Sequence, residues 1–226
     1  MTCAAAVIYL RDHDATSREA LMANREPLLK SIPISELRPT QMTVGLREVA
    51  EKRRRWQAYD AEKKRAFLGA HMIPTLLGPK KRHYVIDHHH LSRALHEEGV
   101  EEVLVTVVAD LHELGRDAFW TVCDHKSWVH PYDEEGIRRD FTDIPKSMSD
   151  LKDDPFRSLA GELRRAGGFA KDTTPFSEFL WADYLRRNIK GKRVEDDFSA
   201  ALEKALSLAK SKEAGYLPGW CGPSKG

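Results

Sequence analysis

The chain has 226 residues, of which 41% are hydrophobic, and it carries 36 basic and 35 acidic side chains. This length and composition allow one substantial core without disulfide support, and a formal net charge of +1 excludes a global field that would draw the chain onto nucleic acid or a membrane. Three cysteines, Cys3, Cys123 and Cys221, are too few and too dispersed for a disulfide framework or a CxxC-type metal site. Because neither a signal peptide nor an apolar run of about 18 residues is recognised, we expect a cytoplasmic protein that does not enter a membrane.

The first half of the chain predicts alternating strands and helices. Residues 1–28 are expected to form a flexible tail, and the apolar run at 29–34, with a proline typical of a sheet edge, predicts the first strand. Apolar residues at helical spacing predict a helix over 46–59, and a second helix is expected over 61–68.

A hairpin and a further helix follow. Asp87 is a residue type that begins helices, and Gly99 suits the left-handed position at a helix end, so these two residues are predicted to bound the helix. Further strands are predicted at 72–77, 83–86 and 102–108, the first two joined by a turn at 78–81.

The second half of the chain predicts mainly helices, at 154–168, 175–189 and 195–210. The expected architecture is therefore an α/β (α+β) fold in two regions. A small mixed-sheet domain covers residues 29–125, and a mainly α-helical C-terminal region covers 126–226.

The run Asp87-His88-His89-His90 is the strongest candidate for a site. Amides in the first turn of a helix lack intrahelical partners, and the positive end of the helix dipole attracts anions, so this segment can hold a phosphate. At 100° per residue, His88 lies beside the core stripe, while His89 and Arg93 project toward the opposite face. The competing interpretation is local capping by polar residues. No metal site is predicted, because three consecutive helical histidines cannot converge on one ion.

The string YVIDHHHLSRAL at 84–95 resembles the strand-to-helix motif of the ParB/sulfiredoxin superfamily, often written Asp-Gly-His-His-Arg. It is most similar to the ParB-like branch, which contains nuclease candidates. Residues 34–41 are similar to the first strand and loop of that superfamily, so the resemblance spans about residues 29–110. It implies a mixed-sheet domain that binds nucleotides or phosphates at the start of the helix, in branches that are nucleotide hydrolases, serine kinases, sulfinic-acid reductases or nuclease candidates. A shared fold does not choose among these reactions.

Several residues depart from the family motif. His88 occupies the position of its glycine, and Leu91 that of its arginine, for which Arg93 is only a partial substitute. The catalytic cysteine of the sulfiredoxin branch has no counterpart, which argues against sulfinic-acid reduction. Glu36 matches the catalytic base of the serine-kinase branch, although an exposed strand-end carboxylate is an equally good interpretation.

The site predicted from the residues and the resemblance has two groups of members. The catalytic candidates are Glu36, His89 and His90. The predicted phosphate or nucleotide contacts are Gln41, Thr43, Asp87, His88, His89, His90 and Arg93.

Basic runs at 52–55, 63–65 and 80–82, with Trp56 and Tyr59 nearby, are the features that favour nucleic acid. Acidic residues are interleaved with the first two runs, as on an ordinary solvated helix face.

Three functions therefore remain open. The first is a phosphotransferase or nucleotide hydrolase that uses ATP, ADP or CTP with Mg²⁺. The second is a DNA-binding protein or metal-dependent nuclease, and the third is a non-catalytic scaffold that binds a protein partner. A nucleotide or phosphorylated small molecule is the expected partner, with DNA and self-association into a homo-oligomer as alternatives.

Overall fold

The computed structural model describes residues 29–223, so the predicted tail at 1–28 lies outside the described residues. The strands are β1 (Leu29–Pro33), β2 (Arg38–Pro39), β3 (Thr43–Val44), β4 (Ile73–Gly78), β5 (Arg82–Val85), β6 (Glu102–Asp110) and β7 (Lys152–Asp153). The helices are α1 (Leu46–Gln57), α2 (Ala61–Ala70), α3 (His89–Glu97), α4 (Arg116–His125), α5 (Pro155–Arg165), α6 (Ser177–Asn188), α7 (Gly191–Asp196) and α8 (Phe198–Ala209). The predicted α/β fold with a helical C-terminal region is confirmed.

Five strands form one mixed sheet in the order β1-β6-β4-β5-β2. β4 and β5 pair as the predicted antiparallel hairpin, with Leu76 opposite Tyr84. β4 lies parallel to β6, and β2 lies parallel to β5, with Arg38 opposite Tyr84. Since β2 and β5 run side by side in the same direction, both strands deliver their following residues to the same edge of the sheet.

Three apolar clusters hold the elements together. One packs the sheet against α1 and α3 through residues such as Ile73, Leu95 and Val105. A second joins Leu76 to Phe119 of α4. The third joins the C-terminal helices through the buried residues Leu159, Leu163, Trp181, Leu185, Ala201 and Ala205.

Two helical predictions were wrong in detail. α4 was not predicted, because its amphipathic stretch begins at Gly115 without a side-chain cap, although Phe119, Trp120 and Cys123 form its buried face. The helix predicted over 195–210 corresponds mainly to α8, and its first two residues belong to α7, which begins earlier, at Gly191. Asp197 interrupts the predicted helix, because its side chain accepts the N–H of Ala200 at 3.0 Å and so begins a new helix.

Backbone hydrogen bonds cross the predicted boundary between residues 125 and 126. β3 and β7 form a separate parallel pair in which Thr43 lies opposite Lys152. The N–H of His130 donates to the carbonyl of Thr40 at 2.8 Å, and the N–H of Asp154 donates to the carbonyl of Val44 at 2.8 Å. The segment between β2 and α1 therefore anchors the C-terminal region to the sheet domain.

No helix among residues 29–223 combines the length and the apolar character that crossing a lipid bilayer requires.

Gly45, at the junction of β3 and α1, provides a test of this anchoring. A Cβ atom added there would lie 2.8 Å from the backbone nitrogen of Ser158 and 2.9 Å from its Cα, so Gly45→Ala should force α5 away from α1. We expect the free energy of unfolding to fall by about 2 kcal/mol, as for other overpacked sites, in urea titrations. Gly69→Ala is the matched control, since nothing lies within 4 Å of its added Cβ and a helical glycine-to-alanine change should raise stability by about 0.5–1 kcal/mol. Equal effects of the two substitutions would contradict the close approach.

Candidate functional site

The first turn of α3 differs from the prediction. His88, not Asp87, is the N-cap residue, and it makes no side-chain capping bond. The carboxylate of Asp87 instead accepts the N–H of His88 at 2.6 Å, because the chain turns sharply between β5 and α3. His88 adopts left-handed backbone angles, φ 66° and ψ 25°, at the position where the family motif has glycine. Among the described residues, no side chain caps this helix start, so the amides of its first turn have no side-chain partner.

His89 and His90 are both buried and bind the backbone of the preceding loop. Nε2 of His89 accepts the N–H of Thr40 at 3.2 Å, and Nε2 of His90 accepts the N–H of Gly45 at 2.9 Å. An imidazole that accepts at Nε2 is neutral and carries its proton on Nδ1. The expected outward orientation of His89 is therefore wrong, because the first turn of α3 packs against residues 40–45 as well as against the sheet.

Burial also keeps both imidazoles neutral. It lowers the pKa of His89 to about 3, with the neighbouring Asp87 carboxylate opposing the shift. Burial lowers the pKa of His90 well below its ordinary value, and the positive charges of Arg157 and Lys52 act in the same direction. Neither ring is expected to be an acid at neutral pH.

A partly buried cluster of charges lies beside His90. Arg157 of α5 is 7% exposed, and its guanidinium contacts Glu48 of α1 at 3.5 Å and also Glu178 of α6. Glu178 receives a second guanidinium, from Arg164, at 2.6 Å. The Nε atom of Arg157 is buried and has no hydrogen-bond partner among the described residues. A buried, incompletely satisfied guanidinium is costly for folding, which makes it a functional candidate.

These groups line a cavity of about 330 Å³ between α1 and α3. We call this cavity and its continuation the α3 cleft. Its polar end is formed by Glu48, Asp87, His88, His90, Arg157 and Glu178, with Lys52 and Arg55 alongside. Its apolar end is formed by Trp56, Tyr59, Phe67, His71, Leu91, Ala94 and Leu95.

The continuation is a smaller cavity of about 230 Å³, which shares Asp87, His90, Arg157 and Glu178 with the first. It adds a wall of residues from the loop before α1, from α3 and from the start of α6: Gln41, His89, Phe176, Ser177 and Phe179. The start of α3 therefore lies at the junction of two cavities.

The apolar end of the α3 cleft is an aromatic cluster. The Phe67 ring stacks on the His71 ring with centroids 3.9 Å apart, and the Trp56 ring meets Phe67 edge-on at 6.0 Å. The Tyr59 ring lies 5.6 Å from Phe67. Such a surface suits a planar ring of a ligand.

Of the remaining predicted contacts, Gln41 lies in the α3 cleft, whereas Thr43 and Arg93 do not line it. Gln41 lines the smaller cavity, and its side-chain amide donates to the carbonyl of Thr43 at 2.6 Å, while Thr43 itself is buried in β3. The guanidinium of Arg93 donates to the carbonyls of Met148 at 2.9 Å and Leu151 at 3.2 Å, so it fixes the chain there instead of facing the α3 cleft.

Glu36 is exposed and lies just before β2, whereas Asp87 follows the far end of the parallel strand β5. Neither cavity of the α3 cleft is lined by Glu36.

The sequence did not identify Arg157 and Glu178 as site residues. They lie more than 65 residues after the helix start, on separate helices, and their local sequences have the appearance of ordinary amphipathic helices. The aromatic and basic residues of α1 were recognised, but as a candidate nucleic-acid patch, because their spacing does not show that they face α3.

His88 provides a test of backbone strain at the site. A left-handed conformation costs a non-glycine residue about 1–2 kcal/mol, and Nδ1 of His88 is buried without a partner among residues 29–223. His88→Gly should therefore raise the free energy of unfolding by about 1 kcal/mol in urea titrations. His88→Ala keeps the strain and should be about 1 kcal/mol less stable than His88→Gly. Equal stabilities of these two variants would show that the conformation is not strained.

His89 provides a test based on pH. The pKa of His89 is about 3 in the folded chain and about 6.5 when the chain is unfolded. Its contribution to the free energy of unfolding is therefore complete above pH 6.5 and is lost as the pH falls toward 3. The unfolded chain then binds a proton that the folded chain does not, and stability falls by up to about 1.4 kcal/mol per pH unit.

Measured between about pH 5 and 6.5, above the range where carboxyl groups titrate, His89→Gln should show a shallower fall in unfolding free energy than the native chain. His125→Gln, at an exposed histidine, is the matched control. An unchanged slope in His89→Gln would contradict a buried neutral imidazole.

Comparison with known proteins identifies the family. A sequence model described as "Putative ParB-like nuclease" matches residues 30–187, a span that also crosses the predicted boundary at 125. The chain is similar to the crystal structure of protein Atu1540 from Agrobacterium tumefaciens, with 54% sequence identity and a TM-score of 0.84. That match covers 88% of this chain and 99% of the other. No curated protein matches the chain. The resemblance found in the sequence is confirmed, and the chain belongs to the ParB-like nuclease family.

Proposed function

We propose that this protein binds a nucleotide, or another phosphorylated small molecule, in the α3 cleft and hydrolyses or transfers its phosphate. The observation that carries the proposal is the uncapped start of α3, which lines a cavity together with aromatic rings and with both basic and acidic side chains. Sites for small ligands are typically concave, mainly apolar, and supplied with a few convergent polar groups. The cavity of about 330 Å³ is at the lower end of the size range of such sites.

The phosphate is assigned to the polar end. The free amides of the first turn and the helix dipole favour an anion there. Lys52 and Arg55, on the adjacent face of α1, line the same cavity and can add charge-assisted hydrogen bonds. Lys52 is 3.4 Å from Glu48, in an ion pair that is partly exposed. Such pairs contribute little to stability, so a phosphate can compete for the lysine.

The ring of the ligand is assigned to the apolar end. Tyr59 and His71 of the aromatic cluster line the cavity, and their rings are the proposed stacking partners. Stacking on aromatic side chains tolerates any base, so the cleft does not by itself select among ATP, ADP and CTP.

Asp87 is the proposed general base. One carboxylate oxygen accepts the N–H of His88, which holds the side chain beside the free amides and leaves the second oxygen for the proton of a water or hydroxyl nucleophile. Glu36 lines neither cavity, so we do not assign it this role. His89 and His90 keep a positioning role in the proposal, because their Nε2 atoms bind backbone amides. Magnesium would be carried mainly by the phosphates, as is usual for this ion.

Nucleotide binding is tested by thermal unfolding with ATP, ADP and CTP, each with and without Mg²⁺. At a ligand concentration of 100 times Kd, we expect the Tm to rise by about 5–10 °C. Arg55→Ala should reduce this shift, whereas Arg54→Ala, on the same helix but outside the cleft, should not. Asp87→Asn should abolish phosphate release while keeping the shift. The absence of any shift with the native chain, or equal losses in the two arginine variants, would refute the proposal.

The second candidate is a nuclease, which the description of the family favours. The same preparations, incubated with DNA and Mg²⁺ or Mn²⁺, separate the two functions. Cleavage of DNA that is lost in Asp87→Asn, without any nucleotide-dependent shift in Tm, would replace the first candidate with the second.

A further inference from the structure

A second concave surface lies outside the α3 cleft, where the edge of the sheet meets α4. It has a volume of about 400 Å³ and shares no lining residue with the two cavities of the cleft. We call it the basic groove. Its charged residues are Arg38, Lys80, Arg82, Arg116 and Lys146, and its aromatic residues are Tyr84, Trp120 and Phe141. No carboxylate lines this groove.

The five cations are not neutralised by the rest of the described chain. Within residues 29–223, none of them lies within 4 Å of a carboxylate oxygen, whereas Lys52, Arg53 and Arg55 of α1 are each paired with a glutamate. The guanidinium of Arg38 donates to the carbonyl of Lys146, and its Nε atom is buried without a partner in the described part of the chain. Clustered unpaired charge of one sign is a feature that a protein normally avoids unless an anion binds there.

Two further observations concern the surroundings of these cations. Asp140 interacts with Arg116, but its carboxylate accepts the N–H of Thr142 at 2.7 Å and does not line the groove. Burial raises the pKa of the Tyr84 phenol, and the positive charges of Arg82, Arg38 and Arg116 oppose this rise. Positive charge therefore acts on the aromatic lining itself.

The lysines at the tip of the β4–β5 hairpin adopt an unusual backbone conformation. Lys80 and Lys81 both have positive φ, 60° and 54°, a region that glycine and asparagine occupy at lower cost. Strain of this kind tends to persist where function requires the side chain. Here it places Lys80 at the edge of the basic groove.

The aromatic lining already contains stacked rings. Trp120 and Phe141 lie nearly parallel, with centroids 5.7 Å apart and an interplanar angle of 14°. The Tyr84 ring meets Trp120 edge-on at 5.6 Å. Phe141 is half-buried, and a base can pack against the exposed part of such a stack.

We propose that the basic groove binds single-stranded nucleic acid, either DNA or RNA. The five cations come from four separate segments of the chain, an arrangement that suits a nucleic-acid backbone passing through the groove better than the single charged end of a free nucleotide. Trp120 is buried, but Tyr84 and Phe141 are partly exposed, so unstacked bases can pack against these two rings, whereas the stacked bases of a duplex are not free to do so. Combined cationic and aromatic surfaces of this kind are typical of sequence-tolerant binding to single strands. The proposal does not depend on nucleotide binding in the α3 cleft.

The test is fluorescence anisotropy with labelled oligothymidylate and oligouridylate of about 15 nucleotides, near the upper end of the usual site size. Affinity should fall steeply between about 50 and 200 mM salt. The triple variant Lys80→Ala, Arg82→Ala and Arg116→Ala should bind at least about tenfold more weakly. Its slope of log affinity against log salt should be lower by about 2, because each phosphate contact to a single strand contributes about 0.7.

A triple variant with the same loss of charge is the control. Lys192→Ala, Lys204→Ala and Lys210→Ala remove three exposed lysines of the C-terminal helices and should change affinity less than twofold. A higher affinity for one of the two oligonucleotides identifies DNA or RNA as the natural ligand, and either result supports the proposal. It is overturned if neither oligonucleotide binds, or if the two triple variants lose affinity equally. It is also overturned if a duplex or a free mononucleotide of equal concentration competes as well as the single strand.

Discussion

Two hydrogen bonds from backbone amides to imidazole nitrogens hold the centre of this structure together. The N–H groups of Thr40 and Gly45 donate to His89 and His90, the first two residues of α3. The hydroxyl of Thr40 donates to the carbonyl of Val85 at 2.7 Å, so the same loop is also fixed to the end of β5. The carbonyl of Thr40 in turn accepts the N–H of His130. These contacts connect the sheet, α3 and the C-terminal region at one point.

This arrangement requires both histidines to be neutral. A protonated imidazole has donors at both nitrogens, so each ring would then face a backbone N–H with no acceptor between them. Burial and the nearby positive charge of Arg157 keep His90 unprotonated. Arg157 is compatible with this site because Glu48 and Glu178 neutralise it. His89 and His90 thus line the α3 cleft and also hold its walls in place through their bonds to the loop at 40–45.

The two candidate binding surfaces differ in how their charges are arranged. The α3 cleft is lined by both basic and acidic side chains, and the anion that we propose for it would be held by the uncapped amides of α3. In the basic groove, positive charge is concentrated and has no carboxylate among its lining residues. The first arrangement suits a small ligand whose phosphate and ring need separate partners, and the second suits a polyanion. Membership of the ParB-like nuclease family is compatible with both proposals, a small ligand in the α3 cleft and a polyanion in the basic groove. One fold can carry several independent binding surfaces.

The sequence alone determined the secondary structure of most elements and the family. Two apolar, partly β-branched runs separated by a turn at 78–81 identified the β4–β5 hairpin. Gly99, with φ of 69°, follows the end of α3, as its lack of a side chain predicts. These features depend on neighbouring residues, whose effects are local. Only the tertiary structure decided that His88 is the N-cap residue, that His89 turns inward, and that Arg157 and Glu178 reach α3 from the C-terminal helices. It also brought Arg38, Arg82, Arg116 and Lys146 into one groove from separate segments. Such contacts depend on how elements that are distant in sequence pack together, and the spacing of residues along the chain does not predict that packing.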